Sequence, residues 1–320
     1  MFVQGESRMI DIIPRRSGFR LRTWLARRVA RKASRGLSPD VDMAVGRKIM
    51  DSAGDRIPMD RSVVYADVQL AGLRTLVFGP KAPRGGQLLY LHGGGYCRGS
   101  AYSHRPFISR LAAALNIKTR APDYRLAPEH PCPAAVDDAL AAYRDMRKGM
   151  EGPVIVAGDS AGGGLALALT LKLKELGETL PDALILYSPW TDLTISGENV
   201  KLKDAIDPLL RAHWLSEAAD LYGTELGRDH PLCSPLFGDF AGFPPTLIQT
   251  GTDEVLLDDT IRLAGRMEEA GVDVTCELWD GLWHVFPLFQ PLLPEGRTAN
   301  RRARAWLDER FDHQVSPSRR

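Results

Sequence analysis

A chain of 320 residues, 44% hydrophobic and 25% charged, is long enough for one large globular core with a lid and short for two full enzymes. Its net charge of +1 sets up no overall field, so no nucleic-acid partner is expected, and no apolar run approaches the ~20 residues that a membrane-spanning helix needs. Cys97, Cys132, Cys233 and Cys276 form no C-x-x-C pair and the histidines have no metal spacing, so the expectation is a cytoplasmic protein with reduced thiols and neither metal nor cofactor.

The first element, residues 19–32, is basic and amphipathic, with Leu21, Trp24, Leu25 and Val29 on one helical face. Packing of that stripe over the active site is its commoner use. The alternative is weak contact with an anionic membrane surface. Residues 63–78 alternate around Ala71-Gly72 and predict an antiparallel hairpin at a sheet edge. Strands are then predicted at Gln87–Leu91 and at 117–121, 154–157, 183–187, 246–250 and 272–278. Helices are predicted between most of them, at 104–115, 134–147, 165–176 and 259–270, with a last helix at 297–311. Alternation of this kind implies a mostly parallel sheet with helices on both faces, eight strands in all. Residues 192–235 hold no good strand, but 204–222 has helical spacing, so this segment is expected to leave the sheet and join residues 1–50 in a helical cap. The core is then divided into 51–191 and 236–320. The polar tail from His313 onward is expected to fray.

Two motifs carry chemistry. The strand before residue 158 runs into Gly158-Asp159-Ser160-Ala161-Gly162, and a helix follows at once. That is a nucleophile elbow, which lifts a serine hydroxyl above the sheet and needs glycines where strand and helix nearly touch. Upstream, the strand Gln87–Leu91 ends in His92-Gly93-Gly94-Gly95-Tyr96. An H-G-G-G loop there offers backbone N–H groups to a developing oxyanion. Phosphate binding is disfavoured, since no G-K-[ST] follows and the glycines open no helix.

Ser160 needs a base, and elbow hydrolases order the chain as serine, acid, histidine. Of the histidines after Ser160, His213 and His230 fall in the excursion and His313 in the tail. His284 follows the last strand, at the sheet end where ligands bind, and is the candidate base. Asp192, Asp253 and Glu254 follow strand ends and are candidate acids. Successive extended residues point opposite ways, so Asp253 and Glu254 should not both face His284. Asp258 and Asp259 read as carboxylates capping the next helix.

Together these residues resemble the hormone-sensitive-lipase family of α/β-hydrolases, the bacterial family IV carboxylesterases. The resemblance runs through His92–Tyr96, Tyr124-Arg125-Leu126-Ala127-Pro128-Glu129-His130-Pro131, Gly158–Gly163, Ser188-Pro189-Trp190-Thr191-Asp192-Leu193 and the His284 loop. It implies Ser160 as nucleophile, His284 as base, an oxyanion hole from the N–H groups of Gly94, Gly95 and Ala161, and support of that loop by His92 and Gly93. The family's D-P-L-x-D stretch aligns with Glu254-Val255-Leu256-Leu257-Asp258. Glu254 therefore stands at the triad-acid position, where aspartate is commoner, and Asp253 is the alternative. The implied activity is hydrolysis of short- to medium-chain esters, with amidase or lactonase chemistry on the same parts as an alternative. A non-catalytic ligand-binding relative is disfavoured because His284 is retained. Homodimers through sheet edges are a family habit. Arg125 and Glu129 are expected to pair, and Asp159 to brace the elbow. Candidate pocket walls are Tyr96, Trp190, Leu193, Trp214, Leu215, Trp283, Val285 and Phe286.

Overall fold

The computed structural model describes residues 10–15, 20–150 and 152–311; the tail from His313 lies outside them. The first half comprises β1 (Ile10–Ile13), α1 (Arg20–Ala33), α2 (Met43–Arg56), β2 (Val63–Leu70), β3 (Leu73–Pro80), β4 (Gln87–Leu91), α3 (Ala101–Leu115), β5 (Lys118–Pro122) and α4 (Ala134–Arg147). Then come β6 (Val154–Asp159), α5 (Ala161–Glu175), β7 (Ala183–Tyr187), α6 (Asn199–Leu202), α7 (Ala212–Tyr222), β8 (Thr246–Gly251), α8 (Leu257–Glu269), β9 (Val274–Trp279) and α9 (Pro294–Phe311).

Every residue of β4, β6, β7 and β8 is buried. Strands without a polar alternate must be covered on both faces. One face sends Leu89, Leu91, Val154, Val156, Leu184 and Leu186 into a core with α4, α5 and α8. The other sends Leu88, Tyr90, Ile155, Ala157, Ile185 and Tyr187 toward α3 and α9, as the two-residue repeat of a strand requires. α5, reading Ala-Gly-Gly-Gly-Leu-Ala-Leu-Ala-Leu, is apolar all round and buried along its first ten residues.

Among the described residues the sheet has nine strands in the order β1-β9-β8-β7-β6-β4-β5-β3-β2, parallel except where β3 runs against β5 and β2. The hairpin β2–β3 turns at Ala71 and Gly72, both at positive φ (52° and 79°), the backbone of a tight two-residue turn. The predicted count of eight is corrected by β1, which pairs in parallel with β9, Ile10 opposite Cys276. Residues 1–50 are therefore not purely cap helices. Four residues beside a basic segment carry too little pattern to register as a strand.

The chain leaves the sheet after β7 and returns at β8. Within that excursion the predicted helix at 204–222 forms only from Ala212. Pro208 disfavours helical backbone at Asp207, whose Oδ1 instead accepts the N–H groups of Leu209 (2.8 Å) and Leu210 (3.3 Å). α1 packs on the excursion and the loop after β9, but not with the expected face. Ala26 and Ala30 join Leu209, Trp283 and Phe289 in a core, while Leu21, Trp24, Leu25 and Val29 are exposed.

A Cβ at Gly162 would lie 2.1 Å from the Leu91 carbonyl oxygen and 2.6 Å from that of His92. Gly162→Ala is expected to lose about 1–3 kcal/mol, read as a lowered urea midpoint. An unchanged midpoint would show that β4 and α5 can part without cost.

Candidate active site

Between β6 and α5 the chain passes from strand to helix in a single residue. Ser160 takes φ 53° and ψ −123° to do so, a sparsely populated conformation costing of order 1–3 kcal/mol. The corner is held from both sides. The Ser160 N–H donates to the Tyr187 carbonyl (2.9 Å), and its own carbonyl accepts from Gly164 (3.1 Å) and Trp190 (3.0 Å). A Cβ at Gly158 would fall 2.2 Å from the Gly162 oxygen, so the first elbow glycine is sterically required.

The loop after β4 runs beside this corner. Gly94, Gly95 and Tyr96 all have positive φ (125°, 64° and 60°), and a Cβ at Gly94 would meet the Arg98 oxygen at 2.1 Å. The N–H groups of Gly94, Gly95 and Ala161 have no hydrogen-bond partner among the described residues. His92 stacks on Tyr124 (4.2 Å between centroids), its Nδ1 lies 2.9 Å from the Gly93 oxygen, and Tyr124 donates to its carbonyl (2.6 Å). Burial, helped by the charge of His104, pushes His92 down to about 3, so it is neutral.

Asp159 ties elbow to loop. Its carboxylate accepts from the Tyr90 hydroxyl (2.5 Å) and the Gly93 N–H (3.0 Å), and lies 3.4 Å from His104 Nε2. Burial opposes ionisation of both partners and is the largest single influence on each. Their mutual charge and hydrogen bond, with the further bonds from Tyr90 to Asp159 and from His104 to the Ser100 carbonyl, together outweigh it: Asp159 is held below and His104 above the ordinary range.

His284 follows β9 and is buried. Its Nδ1 lies 3.2 Å from Glu254 Oε1, and Glu254 Oε2 accepts from Ser188 Oγ (2.7 Å) and the Gly251 N–H (2.9 Å). Ser188 Oγ in turn accepts from the N–H of Val285 (3.0 Å), so one hydroxyl orients the carboxylate and the histidine loop together. Its place after β7 was visible in the sequence, but nothing local signalled that role. Asp253, in the turn beyond β8, points away from His284 and pairs with Arg27 of α1 (2.5 Å).

The remaining carboxylates are engaged elsewhere. Asp192 Oδ2 meets Arg262 (2.8 Å). Asp258 and Asp259 do not cap α8. Asp258 accepts the Asn199 N–H (2.7 Å) and Asp259 those of Thr191 (2.7 Å) and Asp192 (2.9 Å), because both reach from the helix to the segment leaving β7. The Arg125–Glu129 pair does not form. Arg125 grips Asp138 of α4 (2.8 Å), one helical face away, and Glu129 binds Arg47 of α2 (2.7 Å).

Ser160 and His284 line one cavity of about 160 Å³ together with Gly94, Gly95, His104 and Asp159. Its apolar wall comes from Ala33, Leu37, Met50, Ala53, Ile57, Leu209, Leu210, Trp214, Leu215, Ala218, Val285, Leu288 and Phe289. Of the candidate pocket residues, Trp214, Leu215 and Val285 are on this wall. Tyr96, Trp190, Leu193, Trp283 and Phe286 are not on the wall. Tyr96 stacks on Tyr222 (3.8 Å), Trp283 packs on Phe289, Phe286 on Trp279, and Trp190 and Leu193 lie in the core beyond the end of β7. Large flat side chains next to the catalytic motifs are buried as their support.

A family model described as the alpha/beta hydrolase fold matches residues 88–288. An acetyl-hydrolase of Streptomyces hygroscopicus is 44% identical over 230 residues, covering 71% of this chain and 77% of that protein. An esterase of Acinetobacter venetianus is 36% identical over 256 residues, covering 79% of this chain and 84% of that protein. The crystal structure of an esterase from the bacterial hormone-sensitive lipase family aligns with a TM-score of 0.86 at 35% identity, over 90% of this chain and 98% of that one. The elbow, the glycine loop and the buried His284 pair stand on a sheet shared nearly end to end with that structure, and the chain belongs to the hormone-sensitive-lipase family of alpha/beta hydrolases.

Proposed function

We propose that this hydrolase is a serine carboxylesterase working through an acyl-enzyme, with Ser160 as nucleophile, His284 as general base and Glu254 as the triad acid. The observation that carries the reading is a buried histidine–carboxylate pair opening on the same cavity as a serine at a strained strand–helix corner. Ser160 Oγ attacks the ester carbonyl as His284 Nε2 takes its proton. Glu254, bonded at Nδ1, fixes the tautomer and steadies the imidazolium. The N–H groups of Gly94, Gly95 and Ala161 receive the oxyanion, and losing one such donor typically costs about 3–4 kcal/mol. Collapse expels the alcohol, protonated by His284, and water repeats the cycle on the acyl-enzyme.

A cavity of about 160 Å³ is close to the roughly 150 Å³ that encloses a benzene ring, which favours short acyl groups over long ones. Four buried, unpaired cysteines support a reducing, cytoplasmic setting. In the described part of the sheet the outer strands are β1 and β2, so pairing of two copies through a sheet edge would use one of these.

Ser160→Ala is expected to lower turnover of p-nitrophenyl butyrate by about 10⁴–10⁶-fold and to abolish labelling by a fluorophosphonate. Activity near the parent rate would end the proposal. Glu254→Gln should lose up to ~10⁴ in kcat and Asp253→Asn only a few-fold; the reverse order would move the acid to Asp253.

Burial by itself depresses the His284 pKa, but the hydrogen bond and charge of Glu254, joined by the charge of Asp207, outweigh it and hold the imidazole above its ordinary range. Asp207 is itself pushed up to about 6, chiefly by burial. The base works neutral, so the acid limb of kcat/KM should lie above that of an unperturbed histidine. Asp207→Asn removes a charge that favours the imidazolium and should move that limb to lower pH. A limb that stays or rises contradicts the coupling.

A further inference from the structure

We propose that the outer face of α1 is a docking surface for an anionic lipid bilayer. The helix is anchored by its small side: Thr23, Ala26 and Ala30 are buried, and Arg27 donates to Asp253 (2.5 Å), to the Gly281 carbonyl (3.2 Å) and to the Ile206 carbonyl (3.1 Å). The large apolar residues face outward instead, Leu21 being 77%, Trp24 56%, Leu25 42% and Val29 38% exposed. A helix that buries alanines and presents leucine and tryptophan to solvent has an unmatched apolar face.

The charge around that face identifies its occupant. Residues 20–39 contain seven basic and no acidic side chains, in a chain whose net charge is only +1, so the rest of the molecule is net acidic. Arg28, Arg31, Lys32 and Arg35 are exposed. Arg28 lies 5.6 Å from the Trp24 ring centroid, the arrangement in which a long basic stem covers apolar surface and its head reaches outward. The patch continues onto the excursion that Arg27 holds. Leu202, the last residue of α6, and Ile206 are 68% and 40% exposed, Lys201 beside Leu202 is exposed, and Asp204 accepts the Ala212 N–H (2.6 Å). Leucine, tryptophan and isoleucine ringed by arginine and lysine suit a bilayer interface, where the apolar groups enter below the headgroups and the cations meet lipid phosphate and carboxylate. A second copy presenting the same face would press like charges together, and nucleic acid offers no apolar layer for the leucines. Ala33, at the end of α1, and Leu37 beyond it line the cavity that holds Ser160, so docking would seat the cavity wall against the lipid.

The test is sedimentation of the full chain with vesicles of phosphatidylcholine alone or mixed with phosphatidylserine. Expected are binding to the anionic vesicles at least about tenfold tighter than to the neutral ones and its loss at about 1 M salt, where charges are screened within ~3 Å. Leu21→Glu/Trp24→Glu should weaken binding at least about tenfold while leaving hydrolysis of dissolved p-nitrophenyl butyrate unchanged. Leu176→Glu, an exposed leucine at the far end of α5, should bind as the parent does. Equal binding to both vesicles, or an unaffected double variant, overturns the proposal. So does a dimer that the double variant dissociates without any vesicle binding, which would assign the face to a second copy.

Discussion

A single strained residue organises this molecule. Ser160 sits at φ 53° because β6 must become α5 without a connecting loop, and only a corner that sharp lifts a hydroxyl clear of the sheet. The conformation persists because Tyr187, Gly164 and Trp190 bond both sides of its peptide. The same tightness dictates the neighbours: Gly158 and Gly162 approach one another and β4 so closely that no side chain fits. The short helix start, the buried α5 and the flush packing of β4, β6 and β7 all follow from keeping that corner intact.

Around the corner the polar groups form two separate buried systems. Asp159, Tyr90, His104 and Gly93 join the elbow to the glycine loop, with an ion pair and hydrogen bonds that together outweigh desolvation. Glu254, Ser188, Gly251 and Val285 hold His284 from the other side. Three contacts, His284 on Oε1 and Ser188 and Gly251 on Oε2, restrict the Glu254 carboxylate to one orientation. The loop after β8 also holds α1 and the excursion. Asp253 receives Arg27 from α1, and Asp207 of the excursion accepts the Val255 N–H (3.3 Å). Adjacent residues of one loop thus serve the inside and the outside of the site.

The fold and the motifs were readable because each rests on short-range rules. Apolar runs with turns between them locate the strands, the hairpin announces itself at Ala71-Gly72, and G-x-S-x-G after a strand has few other uses. Elements that depend on distant partners were not readable. β1 is a strand only because β9 offers it an edge, and residues 204–211 fail to be helical because Asp207 and Pro208 redirect the backbone. The cavity wall was the least legible part. It is assembled from apolar residues of α1, α2, α7 and the segments after α1, before α7 and after His284, which lie far apart in the chain, while most aromatics beside the motifs are consumed as support.

From the sequence alone come the elbow serine, the glycine loop, His284 and the choice between two neighbouring carboxylates, since local backbone chemistry and chain order suffice for each. Which carboxylate meets the imidazole, which face of α1 looks outward and what lines the cavity were decided only in three dimensions. Those outcomes turn on the direction of one side chain relative to elements hundreds of residues away, and a linear pattern carries periodicity but not the partner against which it is finally set.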